Sequence, residues 1–565
     1  MAKKVVIVGG VAGGASVAAR VRRLDEDAQI IMLERGHNVS FSNCSLPFYL
    51  SGVVASSGTL VMMDPVRFRR QYNIEARVNS EVTEICRNEK VVKVKNLETG
   101  ENYEESYDIL VLAPGASPIL PNSIAGIHSP HVFSVRNVED IVALKNYLDT
   151  NNVEDVAVVG GGFIGVEVAE NLQMAGKHIT MIEAADQIMA PFDHDMAQIL
   201  HKEMMDHGVE LILEDGIKEI TEHYAALASG KQVKAEAVVM AIGVKPETGL
   251  AKAAGLELGE TGGIRVDNNY RTSDPSIYAV GDAIEVYHRL SHKATRLPLA
   301  GPAQRQARAA ADAMYGAAPR NRGVIGSSIV KLFDLKAAAT GLNEKTAQAA
   351  GIPYDFVYVL PGDRVGLMPG NSVIHFKLLF ERPTGRILGA QAIGKGNVDK
   401  RIDVIATMIS MGGTLEDLKD LELCYAPMFG TAKDVVNFAA LVGENILEGK
   451  FCQVPVSAVR KLVEENACII DVREEQEFEA GHLVNAKNIP LSQLRERMNE
   501  IPRDRPVYLH CRSSQRSYNA IMALQGKGYR NLWNISGSFL GICLHEYFTD
   551  QTTMRKKIVT EYNFK

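Results

Sequence analysis

The chain opens on a β-branched run, Lys4–Val8, then turns through GGVAGG, takes up the apolar spacing of a helix over residues 15–23 and returns to an apolar run over 30–33. Strand, glycine turn, helix and strand in that order predict a βαβ unit. The order recurs at residues 155–183, where AVVGGGFIGVEVAE passes from strand into helix and ITMIE supplies the next strand. Units about 150 residues apart are at domain spacing rather than solenoid spacing. Two further β-rich runs, VVMAIGVKPET (238–248) and SIYAVGDA (276–283), contain glycine at or near their ends. Beyond residue 326 the pattern changes to strands at 372–380 and 387–393 and helices at 399–411 and 432–440. Residues 443–455 read as a linker, and a fresh α/β pattern follows to the end.

Composition narrows the class. With 565 residues, 46% hydrophobic and 23% charged, the chain is too long for a small binding module and too apolar for disorder. A net charge of -7 gives no general attraction to nucleic acid or to an anionic membrane surface. The seven cysteines, at 44, 86, 424, 452, 468, 511 and 543, are scattered without CxxC or Cys/His ligand spacing. Neither a disulfide framework nor a metal site is expected, and the reducing cytoplasm is the natural compartment. No run of about 18 apolar residues free of glycine and charge predicts a membrane span.

The glycine turns carry the first candidate chemistry. Gly9, Gly10, Val11, Ala12, Gly13 and Gly14 form a dinucleotide loop whose second motif glycine is replaced by valine, with Glu34 and Arg35 at the end of the next strand. A helix N-terminus behind such a loop suits a pyrophosphate, and a carboxylate at Glu34 suits a ribose hydroxyl. The second loop, with Gly160, Gly162, Phe163, Ile164 and Gly165, keeps the full glycine pattern, and Glu183 ends the following strand. A carboxylate there accepts both ribose hydroxyls and repels a 2′-phosphate, so NADH is expected over NADPH. Gly243 in the 238–248 run is assigned to the same site. Cys44 lies in the polar, turn-like segment SFSNCSLP, which does not read as a buried structural element.

Three segments together carry a resemblance. The first glycine loop, YDILVLAPGASP (107–118, with Ala113 and Gly115) and TSDPSIYAVGDA (272–283, with Gly281 and Asp282) resemble those of the flavoprotein disulfide reductases with two dinucleotide domains. The resemblance implies FAD, with Asp282 on its ribityl chain. A single cysteine at 44 resembles the one-cysteine branch, and GGVAGG, SFSNCSLP and Cys424-Tyr425-Ala426-Pro427 resemble coenzyme A disulfide reductases over roughly residues 1–445. That family implies a homodimer in which Tyr425 serves the partner's cysteine, and coenzyme A bound by Ser40, Asn43, Arg20 and Arg23. Arg20 and Arg23 read equally as a solvated helix end. Val11 and Ala12 stand where peroxidase members carry a histidine, and Met368 stands where a family tyrosine precedes Pro369-Gly370.

From about Val454 the sequence resembles a rhodanese domain through Asp471-Val472-Arg473, the FEAGHL segment at 478–483, Asn488-Ile489-Pro490 and Cys511-Arg512-Ser513-Ser514-Gln515-Arg516-Ser517. A strand, a short loop and a helix there create positive potential for a thiolate or persulfide on Cys511, with Arg512 and Arg516 adding charge. His482 reads as a structural residue. A phosphatase-type anion loop is the alternative.

The fold expected is therefore α/β: two Rossmann-like dinucleotide-binding domains for FAD (1–150 and 276–325) and NAD (151–275), an α+β dimerisation domain (326–445), a linker (446–456) and a C-terminal α/β rhodanese domain (457–565). The function expected is NADH-driven reduction of persulfide or polysulfide sulfur, such as coenzyme A persulfide, through Cys44, with Cys511 carrying sulfane sulfur. The alternative is coenzyme A disulfide reduction beside an independent sulfurtransferase. Neither nucleic acid nor a membrane is expected as a partner.

Overall fold

Lys4–Val8 is the central strand of a parallel sheet in a computed structural model that describes residues 2–318 and 321–564. It pairs with Gln29–Leu33 on one side and Ile109–Leu112 on the other, and the latter pairs with Ile277–Ala279. Val5, Val6 and Ile7 are fully buried, as a β-branched run covered on both faces should be. The following helix starts at Ala12, earlier than residue 15, so Gly13 and Gly14 lie inside its first turn. Contact explains the difference: a Cβ on Gly14 would stand 1.8 Å from the Gly9 carbonyl oxygen, so only glycine lets helix and strand end approach. A second parallel sheet contains His178–Ile182, Asp155–Val159, Ala237–Met240 and Val132–Phe133 in that order, with helix Phe163–Met174 behind its glycine turn. Both Rossmann-like halves lie in a compact unit formed by residues up to Ala184 with Glu214–Val324.

The second unit joins Ala185–Leu213 to the chain from Ile325 onward. Its antiparallel sheet runs Ser328–Leu332, Leu335–Gly341, Ile387–Gly394, Ile374–Glu381 and Tyr354–Val359. Helices Val398–Met411 and Val435–Leu447 accompany it, giving the expected α+β domain. Inside that sheet Lys377 is 1% exposed, and its Nζ bonds Asp193, Asp195 and Glu344. These three carboxylates lie close enough together for a metal, but here they surround an ammonium. The C-terminal module is a parallel sheet, ordered Cys452–Val454, Leu532–Ile535, Val507–His510, Cys468–Asp471 and Lys487–Asn488.

Two boundaries differ from the sequence reading. Residues 185–213 fall within the span assigned to the NAD domain, yet they group with the second unit. Helix His194–Asp206 packs there against Ser538–Thr553, with His201 4.9 Å from the Phe548 ring. The linker expected at 446–456 is also mostly structured. Helix Val435–Leu447 runs through Gly443, and Cys452–Val454 is already sheet. Gly443 permits close packing rather than breaking the helix, since a Cβ there would meet Leu415 at 2.9 Å. Only residues 448–451 are left as a connection, and Phe451 is buried with its ring 5.1 Å from Tyr518.

Candidate active site

The first glycine loop offers a cradle. Gly9 has φ +98°, and a Cβ there would lie 2.1 Å from the Ala113 carbonyl oxygen. Gly10 donates its N–H to Glu34 Oε2 at 2.8 Å, and Gly36 donates to Oε1 at the same distance. Each carboxylate oxygen keeps a lone pair for a ribose hydroxyl. Val11 precedes the helix and Ala12 begins it, so neither adds an acid–base group. Gly115 and Gly281 take positive φ, with open space over Gly115. Asp282 follows Gly281, and burial pushes its carboxyl up. Arg35 is held by Glu247 at 2.9 Å.

The second loop repeats the plan. Gly160 has φ +108° and sits against the Ala241 carbonyl, while nothing lies within 4 Å of a Cβ on Gly162. Gly161 donates to Glu183 Oε2 at 2.6 Å, which puts that carboxylate at the rim of the loop. Phe163, Ile164 and Gly165 open the helix, and Gly243 takes φ +120°. These open, amide-lined turns fit two dinucleotides.

Cys44 sits in a single helical turn, Asn43–Ser45, with an exposed thiol. Although the residue is exposed, partial desolvation of its thiol raises the pKa first, and the carboxylates of Glu167 and Asp282 raise it further. Glu167 escaped the sequence reading, although it lies only four residues beyond Phe163 on the same helix. Burial and then Glu170 push its own carboxyl up to about 7. Ser40 adopts φ +50° and donates its N–H to the Gly10 carbonyl, while Asn43 donates to the Arg136 carbonyl. Arg20 is held by Asp312 at 2.6 Å, and Arg23 lies exposed, 5.9 Å from the Tyr72 ring. Tyr425 belongs to the other unit, where it is 50% exposed and follows Leu423 and Cys424, which with Lys433 line part of a cavity of about 450 Å³.

Cys511 directly follows strand Val507–His510 and is 1% exposed. Helix Gln515–Gln525 begins just after it, and the N-terminus of Ser538–Thr553 also closes on the loop. Phe539 and Leu540 donate their amides to the carbonyls of Cys511 and Arg512. Ser538 Oγ accepts the Cys511 N–H at 3.2 Å and lies 4.0 Å from Sγ. Ser517 Oγ lies 3.8 Å from Sγ and bonds Asn534. Arg516 is engaged by Glu477 through two bonds of 2.6 and 2.7 Å, so its charge is largely compensated. Arg512 is half-buried, and desolvation lowers its pKa. His482 bonds the Phe478 carbonyl and stacks on that ring at 3.8 Å, a structural placement.

Comparison with known proteins covers nearly the whole chain. The pattern of the pyridine nucleotide-disulphide oxidoreductases matches residues 3–307, that of their dimerisation domain 327–435 and that of rhodanese-like domains 456–545. The reduced Bacillus anthracis CoADR-RHD structure is 43% identical, with TM-score 0.94, over 98% of this chain and 99% of that one. A NAD-dependent persulfide reductase from A. fulgidus is 35% identical, with TM-score 0.90, over 95% and 99%. A coenzyme A disulfide reductase of Staphylococcus epidermidis is 34% identical over 77% of this chain and 98% of its own.

Proposed function

The chain belongs to the pyridine nucleotide-disulphide oxidoreductase family and carries a rhodanese-like domain, and from that premise we propose that it uses NADH and FAD to reduce persulfide or polysulfide sulfur, coenzyme A persulfide among the substrates. The observation that carries the reading is the Cys511 loop: a buried thiol in a loop on which two helix N-termini close, on the same chain as the exposed flavin-domain residue Cys44. Resemblance to the persulfide reductase across both domains supports it. Gly9–Gly14, Glu34 and Asp282 hold FAD, while Gly160–Gly165 and Glu183 hold NADH. These groups, when bound, supply the two electrons that return Cys44 to its reduced state.

The protein's own residues do the sulfur chemistry. Cys44 thiolate attacks the S–S bond of a persulfide, one sulfur leaves as thiol or sulfide, and the other stays on Cys44 until two electrons and a proton release it. Cys511 thiolate takes the outer sulfur of a donor such as thiosulfate, breaking its S–S bond with loss of sulfite, and hands that sulfur to a thiol. Ser40 and Asn43 flank Cys44 and are assigned to coenzyme A. Arg20 contributes only if Asp312 gives it up. The chain acts as a homodimer in which Tyr425 protonates the sulfur leaving the partner subunit's cysteine. Exposed Tyr425, Met428 and Phe429 support a second copy covering them. Among the described residues no helix is long and apolar enough to cross a membrane.

Coenzyme A disulfide reduction is the second reading, favoured by the relatives of that name. NADH oxidation measured side by side with coenzyme A persulfide, glutathione persulfide, polysulfide and coenzyme A disulfide decides between them. Turnover confined to the disulfide would overturn the persulfide reading.

A further inference from the structure

The Cys511 loop is shaped from outside its own domain. Ser538, which bonds the Cys511 amide, has φ +48° and follows Gly537 at φ +77°. A residue bearing a side chain in this left-handed region costs roughly 1–2 kcal/mol, and it persists only where the surroundings hold it. Those surroundings include Tyr358, on strand Tyr354–Val359 of the antiparallel sheet. A Cβ on Gly537 would lie 2.7 Å from Tyr358 Cδ1 and Cε1, and one on Gly541 would lie 3.4 Å from Cε1. The ring therefore lies flush against the turn and the first turn of the helix behind it. Tyr358 is 3% exposed, and its hydroxyl bonds Nδ1 of the buried His375 at 2.8 Å, which fixes the ring's direction. Arg512, next to Cys511, acts electrostatically on the same His375.

We propose that Tyr358 is a positioning residue of the Cys511 sulfur site: the antiparallel sheet holds the Gly537–Ser538 turn, and through it the Cys511 loop, in the conformation that loads sulfur. An excised rhodanese-like domain lacks this wall. The proposal rests on the reading of Cys511 as a sulfur carrier, but its first readout does not.

The test uses the full-length protein and the variants Tyr358→Ala, Tyr358→Leu and Tyr358→Phe. Alkylation of Cys511 by iodoacetamide is followed on its own peptide by mass spectrometry, and thiosulfate-to-cyanide sulfur transfer is measured alongside. NADH oxidation through Cys44 reports folding of the first unit, and an unchanged melting temperature and circular dichroism spectrum report that of the second. Tyr358→Ala and Tyr358→Leu should change the Cys511 alkylation rate and lower kcat for sulfur transfer about tenfold with little change in KM, since the donor's contacts remain. Tyr358→Phe, which keeps the ring, should restore most of both. Wild-type alkylation and transfer in Tyr358→Ala or Tyr358→Leu, with NADH oxidation intact, overturns the proposal. So does equal loss in Tyr358→Phe and Tyr358→Ala, which would assign the effect to the hydroxyl instead of the ring. If wild type transfers no sulfur while the variants alter alkylation as stated, the carrier reading fails and the positioning role stands.

Discussion

Glu167 sets a negative charge against Cys44 only above pH about 7, where its carboxyl ionises. Replacing it by glutamine should therefore speed alkylation of Cys44 above pH 7 and leave the rate unchanged below pH about 6, where wild-type Glu167 is protonated. Equal rates at pH 8 would remove Glu167 from the thiol's surroundings. Glu183 at the rim of the second loop carries the other residue-scale prediction. Glu183→Arg should move the kcat/KM ratio from NADH toward NADPH by about tenfold or more, a difference of about 1.4 kcal/mol. Comparing the two cofactors on the wild-type protein checks the premise, and equal values would break it. Spacing from a glycine turn put Glu34 and Glu183 at the rims of their loops, where they accept the amides of Gly10 and Gly161, and Cys44 stood out by its polar, turn-like segment. Ser538 did not: it lies 27 residues beyond Cys511, and the contact depends on Val507–His510 pairing beside Leu532–Ile535.

At the scale of elements, helix His194–Asp206 meets Ser538–Thr553 with neutral histidines. Burial pulls His201 down to about 3 and His545 to about 4, and His375 in the neighbouring sheet also to about 4. An unfolded chain protonates these rings near 6.5, while the folded one resists until far lower pH. Their contribution to stability is thus full above pH 6.5 and falls as pH drops toward 4, by about 1.4 kcal/mol per pH unit for each histidine. The melting temperature should decline through that window, and His201→Gln should decline less steeply. A flat profile between pH 7 and 5 would contradict the assignment. Strand and helix periodicity placed Lys4–Val8 and the 399–411 helix to within a residue. It erred at glycines, because Gly14 and Gly443 serve close packing inside helices, and packing partners distant in sequence leave no local mark.

For the whole molecule, the two thiols should separate cleanly. Cys44→Ser should abolish NADH-driven reduction of every sulfur substrate. Cys511→Ser should abolish transfer from thiosulfate while small persulfides, which reach Cys44 directly, remain reducible. Loss of small-persulfide reduction in Cys511→Ser would make passage through Cys511 obligatory. Mixing Cys44→Ser with Tyr425→Phe subunits should restore some turnover, since one site of each mixed dimer regains both groups. No recovery despite proven subunit exchange would remove Tyr425 from its partner's chemistry. The order of domains was legible from motifs alone, whereas the grouping of residues 185–213 was not, because it follows from side chains meeting a helix more than 300 residues away.

The four-residue connection at 448–451 has a consequence for traffic. Phe451 packs against Tyr518, and Tyr358 abuts the Gly537 turn, so the rhodanese-like domain is moored to the antiparallel sheet by packing instead of hanging on a long tether. Cys511 is a fixed berth with 1% of its surface open. On accessibility alone, a small thiol reagent should reach such a berth faster than a folded protein does, and comparing the two rates checks it.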